Sequence, residues 1–165
     1  MKLERNAFIQ YLDTNFKTGT AAWGIIGKDI EEMSTEMNPD ITTAKNILGE
    51  NSVRHKGYEP SMDADPFFAD PEDPIYPKLL DIAMNRKKGD SCKTQLLEVV
   101  IEDTEATAHK AWTEDVIVAP NSYGGDTEGF AIPFGVTYAG NRVAGYVTIT
   151  NKVPTFTAGE MPEEP

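Results

Sequence analysis

The run Asp73–Gly89, DPIYPKLLDIAMNRKKG, constrains the fold more tightly than any other stretch. Pro74 and Pro77 are tolerated only in a first helical turn, where the early N–H groups lack intrahelical partners in any case. Ile75, Tyr76, Leu79, Leu80, Ile82 and Ala83 then recur near i, i+4, i+7 and i+8, which makes one apolar stripe. The spacing predicts an amphipathic helix over 74–88. Arg86, Lys87 and Lys88 suit the negative end of its dipole, and Gly89 is free to close it at positive φ. Such a stripe must be covered. Leu79, Leu80 and Ile82 are therefore expected to lie buried against a sheet, and strand-like sequence on both sides of the helix supplies one.

Upstream, residues 1–20 read as an N-terminal arm, with KTGTAA as a hinge. Trp23–Ile26 reads as a short strand, followed by a Gly27-Lys28 turn. DIEEMSTEMN has the propensity of a helix as well as of a strand; as a strand it places Glu32, Ser34 and Glu36 on one face and Met33, Thr35 and Met37 on the other. Asn38-Pro39-Asp40 marks a turn, and 41–51 has the mixed pattern of a loop. From Val53 the alternation sharpens. Glu59, Ser61, Asp63 and Asp65 fall opposite Tyr58, Pro60, Met62 and Ala64, with Pro60 and Pro66 favouring an edge position. An acidic, proline-punctuated link over 67–73 leads into the helix.

Downstream, TQLLEVVIE and AWTEDVIVA read as strands, the first with Gln95, Leu97, Val99 and Ile101 on one face. Residues 121–126 have turn composition. Phe130, Ile132, Phe134, Val136 and Tyr138 alternate over one long strand. Gly140-Asn141 reads as a hairpin turn, with Val143, Gly145, Val147 and Ile149 returning. The tail from 153 to 165 reads as an unpacked extension. The fold class expected is mainly β, a β-sandwich or rolled barrel with one flanking helix, a long loop and terminal arms, formed as a single domain over 21–152.

The chemistry-bearing residues are few. His55, His109 and Cys92 stand apart, without the spacing of a zinc site. No Walker loop, G-x-S-x-G or G-x-G-x-x-G occurs. Asp63-Ala64-Asp65 leads into Pro66-Phe67-Phe68, which fails the EF-hand pattern. No metal, cofactor or catalytic residue is expected, and the chain is not expected to be an enzyme. A single cysteine excludes an internal disulfide. No apolar run approaches the roughly 18 residues of a membrane span, and the N-terminus lacks a signal-peptide core. The formal charge of −12 disfavours binding to nucleic acid phosphate, yet suits a surface past which DNA slides. Charge is also segregated. Glu59–Asp73 holds six acids and no base, whereas Lys78, Arg86, Lys87, Lys88 and Lys93 cluster beyond it. Arg86, Lys87 and Lys88 on one copy could thus meet Asp70, Glu72 and Asp73 on the next, in a head-to-tail contact that closes as rings or runs on as filaments.

The order of these parts resembles the tail tube (major tail) proteins of long-tailed bacteriophages. The resemblance lies in layout over roughly residues 21–152, through WGIIGKDIEEMSTEMNP, ILGENSVRHKGYEP, PIYPKLLDIAMNRKKG and AIPFGVTYAGNRVAGYVTIT. It implies a small β-sandwich or rolled barrel whose subunits form hexameric rings. The rings stack into a tube that conducts DNA during ejection. It also implies a place in the virion tail, assembly in the host cytoplasm, and contacts with tape measure, tail terminator and baseplate or tip proteins. Under it, Glu32, Glu36, Glu59, Asp63 and Asp65 would face the lumen. The same fold serves contractile tails, tailocins and the type VI secretion tube. The acidic 59–73 segment is longer than in simpler members of the family. The alternative from another class is a monomeric β-sandwich module that binds a carbohydrate or receptor in an aromatic-lined groove.

Overall fold

The computed structural model describes residues 2–162. The alternating segments become β1 (Phe8–Asp13), β2 (Trp23–Ile26), β3 (Thr35–Glu36), β4 (Pro39–Lys45), β5 (Asn51–Tyr58) and β6 (Ser61–Ala64). After the helix α1 (Ile75–Met84) come β7 (Lys93–Val100), β8 (His109–Pro120), β9 (Gly124–Asp126), β10 (Gly129–Ala131), β11 (Phe134–Thr150) and β12 (Val153–Ala158). Eight of the strands form one antiparallel sheet in the order β2-β1-β7-β8-β11-β6-β3, with β12 added along β11. The sheet curls into a half-barrel and α1 is the one α-helix among the described residues, so the protein has the mainly β, barrel-like class with a single helix.

The sheet is packed on both faces. On one, Leu12, Leu96, Val116, Val118, Phe134, Val136 and Met62 enclose Ile75 and Leu79 of the helix. On the other, Tyr11, Leu97, Val99, Ala111 and Val147 pack with Ile149 and Phe156. Strand β7 is consequently buried on both sides, with Leu96 and Leu97 at most 1% exposed.

The helix is shorter than its stripe suggests. Asp73 launches it, its Oδ1 accepting the Ile75 N–H at 3.0 Å, which satisfies one of the donors left open at a helix start. It ends at Asn85, before the cations. Arg86 takes a left-handed φ of 51°, and the Lys87 N–H returns to the Ile82 carbonyl at 3.1 Å, the six-to-one bond of a Schellman close. The end expected at Gly89 therefore comes at Arg86, and Arg86, Lys87 and Lys88 lie in the following loop. Leu79 and Ile82 are buried as expected, but Leu80 is only half-buried and packs at the core margin.

Five further expectations are corrected. Residues 8–13 are no arm: β1 pairs with β2 on one side and β7 on the other, with Leu12 inside the core. The 41–51 loop is instead most of a hairpin, β4 with β5, turning through Asn46–Glu50. Residues 153–158 are β12, paired with β11 from Thr150 back to Gly145; the last three residues of the tail lie outside the described residues. Gly140-Asn141 does not reverse the chain. β11 pairs with β8 from Phe134↔Pro120 to Val147↔His109, and register shifts lie on either side of Gly140. Two extra residues are accommodated there as bulges, with Gly140 and Asn141 at φ of 98° and 57°. The alternation from Phe130 is broken as well: Phe130 belongs to the β9–β10 hairpin, and β11 begins only after Pro133.

Candidate functional site

The structure brings most of the singled-out acids together. β3 pairs with β6, Glu36 standing opposite Ser61 and Thr35 opposite Met62. The pleat turns Met62 and Ala64 into the core and leaves Asp63 outward, as the alternation requires. Glu32 lies in the irregular segment before β3, and Asp65 just beyond β6. Glu32, Glu36, Asp63 and Asp65 share an open groove of about 700 Å³ with Asp29, Glu31 and Glu128. Seven carboxylates thus line it, and no cation is among its lining residues. Glu59 does not join them. It sits in the link after β5, its N–H bonded to Met37 and its carbonyl to the Asn38 side chain. Asp63 accepts a long bond from Asn121 at 3.3 Å, and among the described residues Glu32, Glu36 and Asp65 form no salt bridge.

The proposed contact residues are mostly engaged within their own chain. Asp70 pairs with Lys28 at 3.0 Å and also accepts the Glu72 N–H; these bonds hold its carboxyl below the usual range. Asp73 caps the helix. Arg86 donates to the Ala83 carbonyl and the Tyr123 hydroxyl, with its guanidinium over the Tyr123 ring. Lys87 pairs with Asp81. Among the described residues, the Glu72 and Lys88 side chains stand outside any such pair.

A second constellation was not apparent from spacing. The bulge in β11 swings Arg142 back over the sheet, where Nη1 donates to Glu98 at 2.8 Å and Glu114 at 3.0 Å. Bulges commonly re-aim a side chain in this way. Glu98 also accepts from Gln10 at 2.9 Å and from the Tyr138 hydroxyl at 3.1 Å, and Thr35 Oγ1 lies 3.0 Å from that hydroxyl. The Gly140 N–H reaches the other oxygen of Glu114. Gln10, Glu98 and Glu114 are buried, and no buried side-chain polar atom among the described residues lacks a partner, as low-dielectric surroundings demand. Burial, reinforced by the charge of Glu98, raises the Tyr138 phenol far above its ordinary pKa. Burial pulls Arg142 down, but the bonds to Glu98 and Glu114 outweigh it and leave the guanidinium more firmly protonated.

This network floors a cavity of about 730 Å³ walled by Phe8, Met33, Met37, Tyr58 and Trp112. Its chemistry is that of a clamp. Tyr138 is held protonated as a donor, the carboxylates are occupied as acceptors, and no activated nucleophile stands beside a base. The available signal was an isolated acid inside each apolar strand, Glu98 in LLEVV and Glu114 beside Asp115 in TEDVIV. On the opposite face, burial pushes Asp115 up, but Asn141, Lys17 and Gln95 outweigh it and hold its carboxyl low.

Among the described residues no group of three or more His, Cys, Asp or Glu is placed to hold a metal ion, and no helix is long and apolar enough to cross a membrane. No protein-family model matches the sequence, and a search of curated proteins returns no match.

Proposed function

We propose that this protein is a structural subunit that assembles with copies of itself into hexameric rings, which stack into a tube conducting DNA in a bacteriophage tail. The observation that carries the reading is the open half-barrel. Among the described residues its end strands β2 and β3 have no outer neighbour, and apolar residues lie uncovered there, Ile25 on β2 and Met37 just past β3. Unpaired edges invite further strands, and closure around a ring of copies removes them. The net charge of −12 supports the conducting role, since fixed negative charge on a bore repels phosphate. A tailocin or type VI-like tube would use the same subunit design. On this reading the subunit resides in the virion tail, having assembled in the host cytoplasm, and meets tape measure, terminator and baseplate or tip proteins.

The test is size. Light scattering and negative-stain electron microscopy of concentrated protein should show rings or tubes, and a monomer at every concentration would overturn the proposal. A second reading, a monomeric binding module, draws on the cavity walled by Trp112, Tyr58 and Phe8. It requires that monomer, together with saturable binding of a glycan that Trp112→Ala abolishes.

A further inference from the structure

The β4–β5 hairpin is the part of the molecule least explained by its own fold. Among the described residues its strands pair with each other and with no third strand. All of their residues are exposed except Gly57, which is half-buried. At the tip, Ile47 is 102% and Leu48 77% exposed. Seven paired residues at about 3.3 Å each carry that tip roughly 20 Å from the hairpin's base. An isolated two-stranded ribbon is marginal in water at best, so this one lacks the burial that would hold it.

Its charge is also unlike that of the body. Residues 39–58 carry Lys45, Arg54 and Lys56 against Asp40 and Glu50, a small cationic excess on a chain of net −12. None of the three cations is in a salt bridge among the described residues, and the same holds for Glu31, Glu32, Glu36 and Asp65 in the groove. One chain therefore displays unmatched cations on a projecting arm and unmatched anions in an open groove.

We infer that the β4–β5 hairpin of one copy docks along the acidic groove of a second copy, Arg54 and Lys56 facing Glu32 and Glu36 while Ile47 and Leu48 are covered by the partner. This rests on the self-assembly reading and names the contact that sustains it. It also relocates the basic partner from Arg86–Lys88, which are largely engaged internally, to the arm.

Two variants test it: Arg54→Glu with Lys56→Glu, and Glu32→Lys with Glu36→Lys. All four side chains are exposed, so each variant should fold with an unchanged circular dichroism spectrum. Each alone sets like charge against like charge and should raise the midpoint concentration of self-association by about tenfold or more. Mixed in equal amounts, the two variants present opposite arms and grooves to each other and should regain wild-type assembly in alternation. If wild type assembles and either variant still assembles as well as it does, or if the mixture fails to recover, the docking is overturned while the tube reading stands. If wild type is monomeric at every concentration, both fall together.

Discussion

The eight-stranded sheet and the β4–β5 hairpin are built from the same backbone geometry and held by different means. In the sheet, Leu12, Leu79, Leu96 and Phe134 are at most 1% exposed, and burial on two faces fixes register and curvature. In the hairpin, Ile41, Val53 and Tyr58 are all more than half exposed. The ladder, the Asn46 side chain accepting from the Leu48 and Glu50 N–H groups at the tip, and an edge-on contact of His55 with Tyr58, centroids 4.7 Å apart, order it. A strand paired inside its own subunit spends its side chains on that subunit. One without a core keeps them for another surface. The contrast separates the parts that fold the chain from the part offered outward.

The most severe test of this division is a pair of equivalent charges. Leu79→Asp would bury an unpaired carboxylate beneath the helix and should destabilise the subunit by about 3–5 kcal/mol. Val53→Asp in the hairpin should change the unfolding free energy of the monomer by no more than about 0.5 kcal/mol. Urea unfolding of both variants decides the matter. Comparable losses would mean that the hairpin is packed after all.

The same contrast explains what could be read from sequence. The stripe of Ile75, Leu79 and Ile82 and the alternation of Ser61–Ala64 were legible because each element has one covered face and one wet one. Strand β1 was not, because Gln10, Tyr11, Leu12 and Asp13 are all buried and a strand covered on both faces loses its period. The hairpin failed for the opposite reason. With neither face covered, Thr42–Lys45 and Ser52–Lys56 have no reason to alternate. Gly140-Asn141 supplied the positive-φ residues of a hairpin turn, which a bulge requires equally. Four of the five acids assigned to one surface do meet in the groove. The Glu98–Tyr138–Arg142 network is not legible in the sequence because its members are distant in the chain and no spacing motif joins them.

Gly145 is a backbone counterpart to Leu79. A β-carbon there would stand 2.2 Å from the Thr157 carbonyl oxygen and 2.7 Å from the Phe156 ring. Gly145→Ala should therefore push β12 from β11 and destabilise by about 1–3 kcal/mol. Gly57 has open space around it, but its φ of 130° would strain an alanine, so Gly57→Ala tests ribbon geometry without packing. Thermal unfolding should show a clear loss for the first. The second should register mainly in assembly.

Alkaline pH tests the buried network. The Tyr138 phenol has a raised pKa in the fold, as does Tyr11 through burial. An unfolded tyrosine ionises near 10, so above that pH the unfolded chain binds fewer protons than the native one. Stability is therefore full below about pH 10 and falls as pH rises further, by up to about 1.4 kcal/mol per unit for each such group. Tyr138→Phe should show a shallower alkaline decline than wild type, at the price of the bond to Glu98. Equal slopes in pH-dependent urea unfolding would remove Tyr138 from that role.

The smallest effect in energy is the most informative about the hairpin. Among the described residues its strands pair across one ladder, its tip amides turn on Asn46, and each strand leaves an outer edge to water. Local opening there requires no disruption of either core, so hydrogen exchange in the dilute monomer should be fast over Thr42–Lys56 and slow over Leu96–Val99, whose strand is enclosed on both faces. Replacing Ile41 with Ser should leave this pattern and the monomer's stability unchanged within about 0.5 kcal/mol, because the side chain is already wet. On assembly the ordering should reverse for the hairpin alone. If it docks on a second copy, its outer edges and apolar tip lose access to water, and protection should appear across Thr42–Lys56 while β7 is unaffected. Protection already present in the dilute monomer would show that the ribbon is held by its own subunit. Protection absent from the assembled form would show that it is not the docking element.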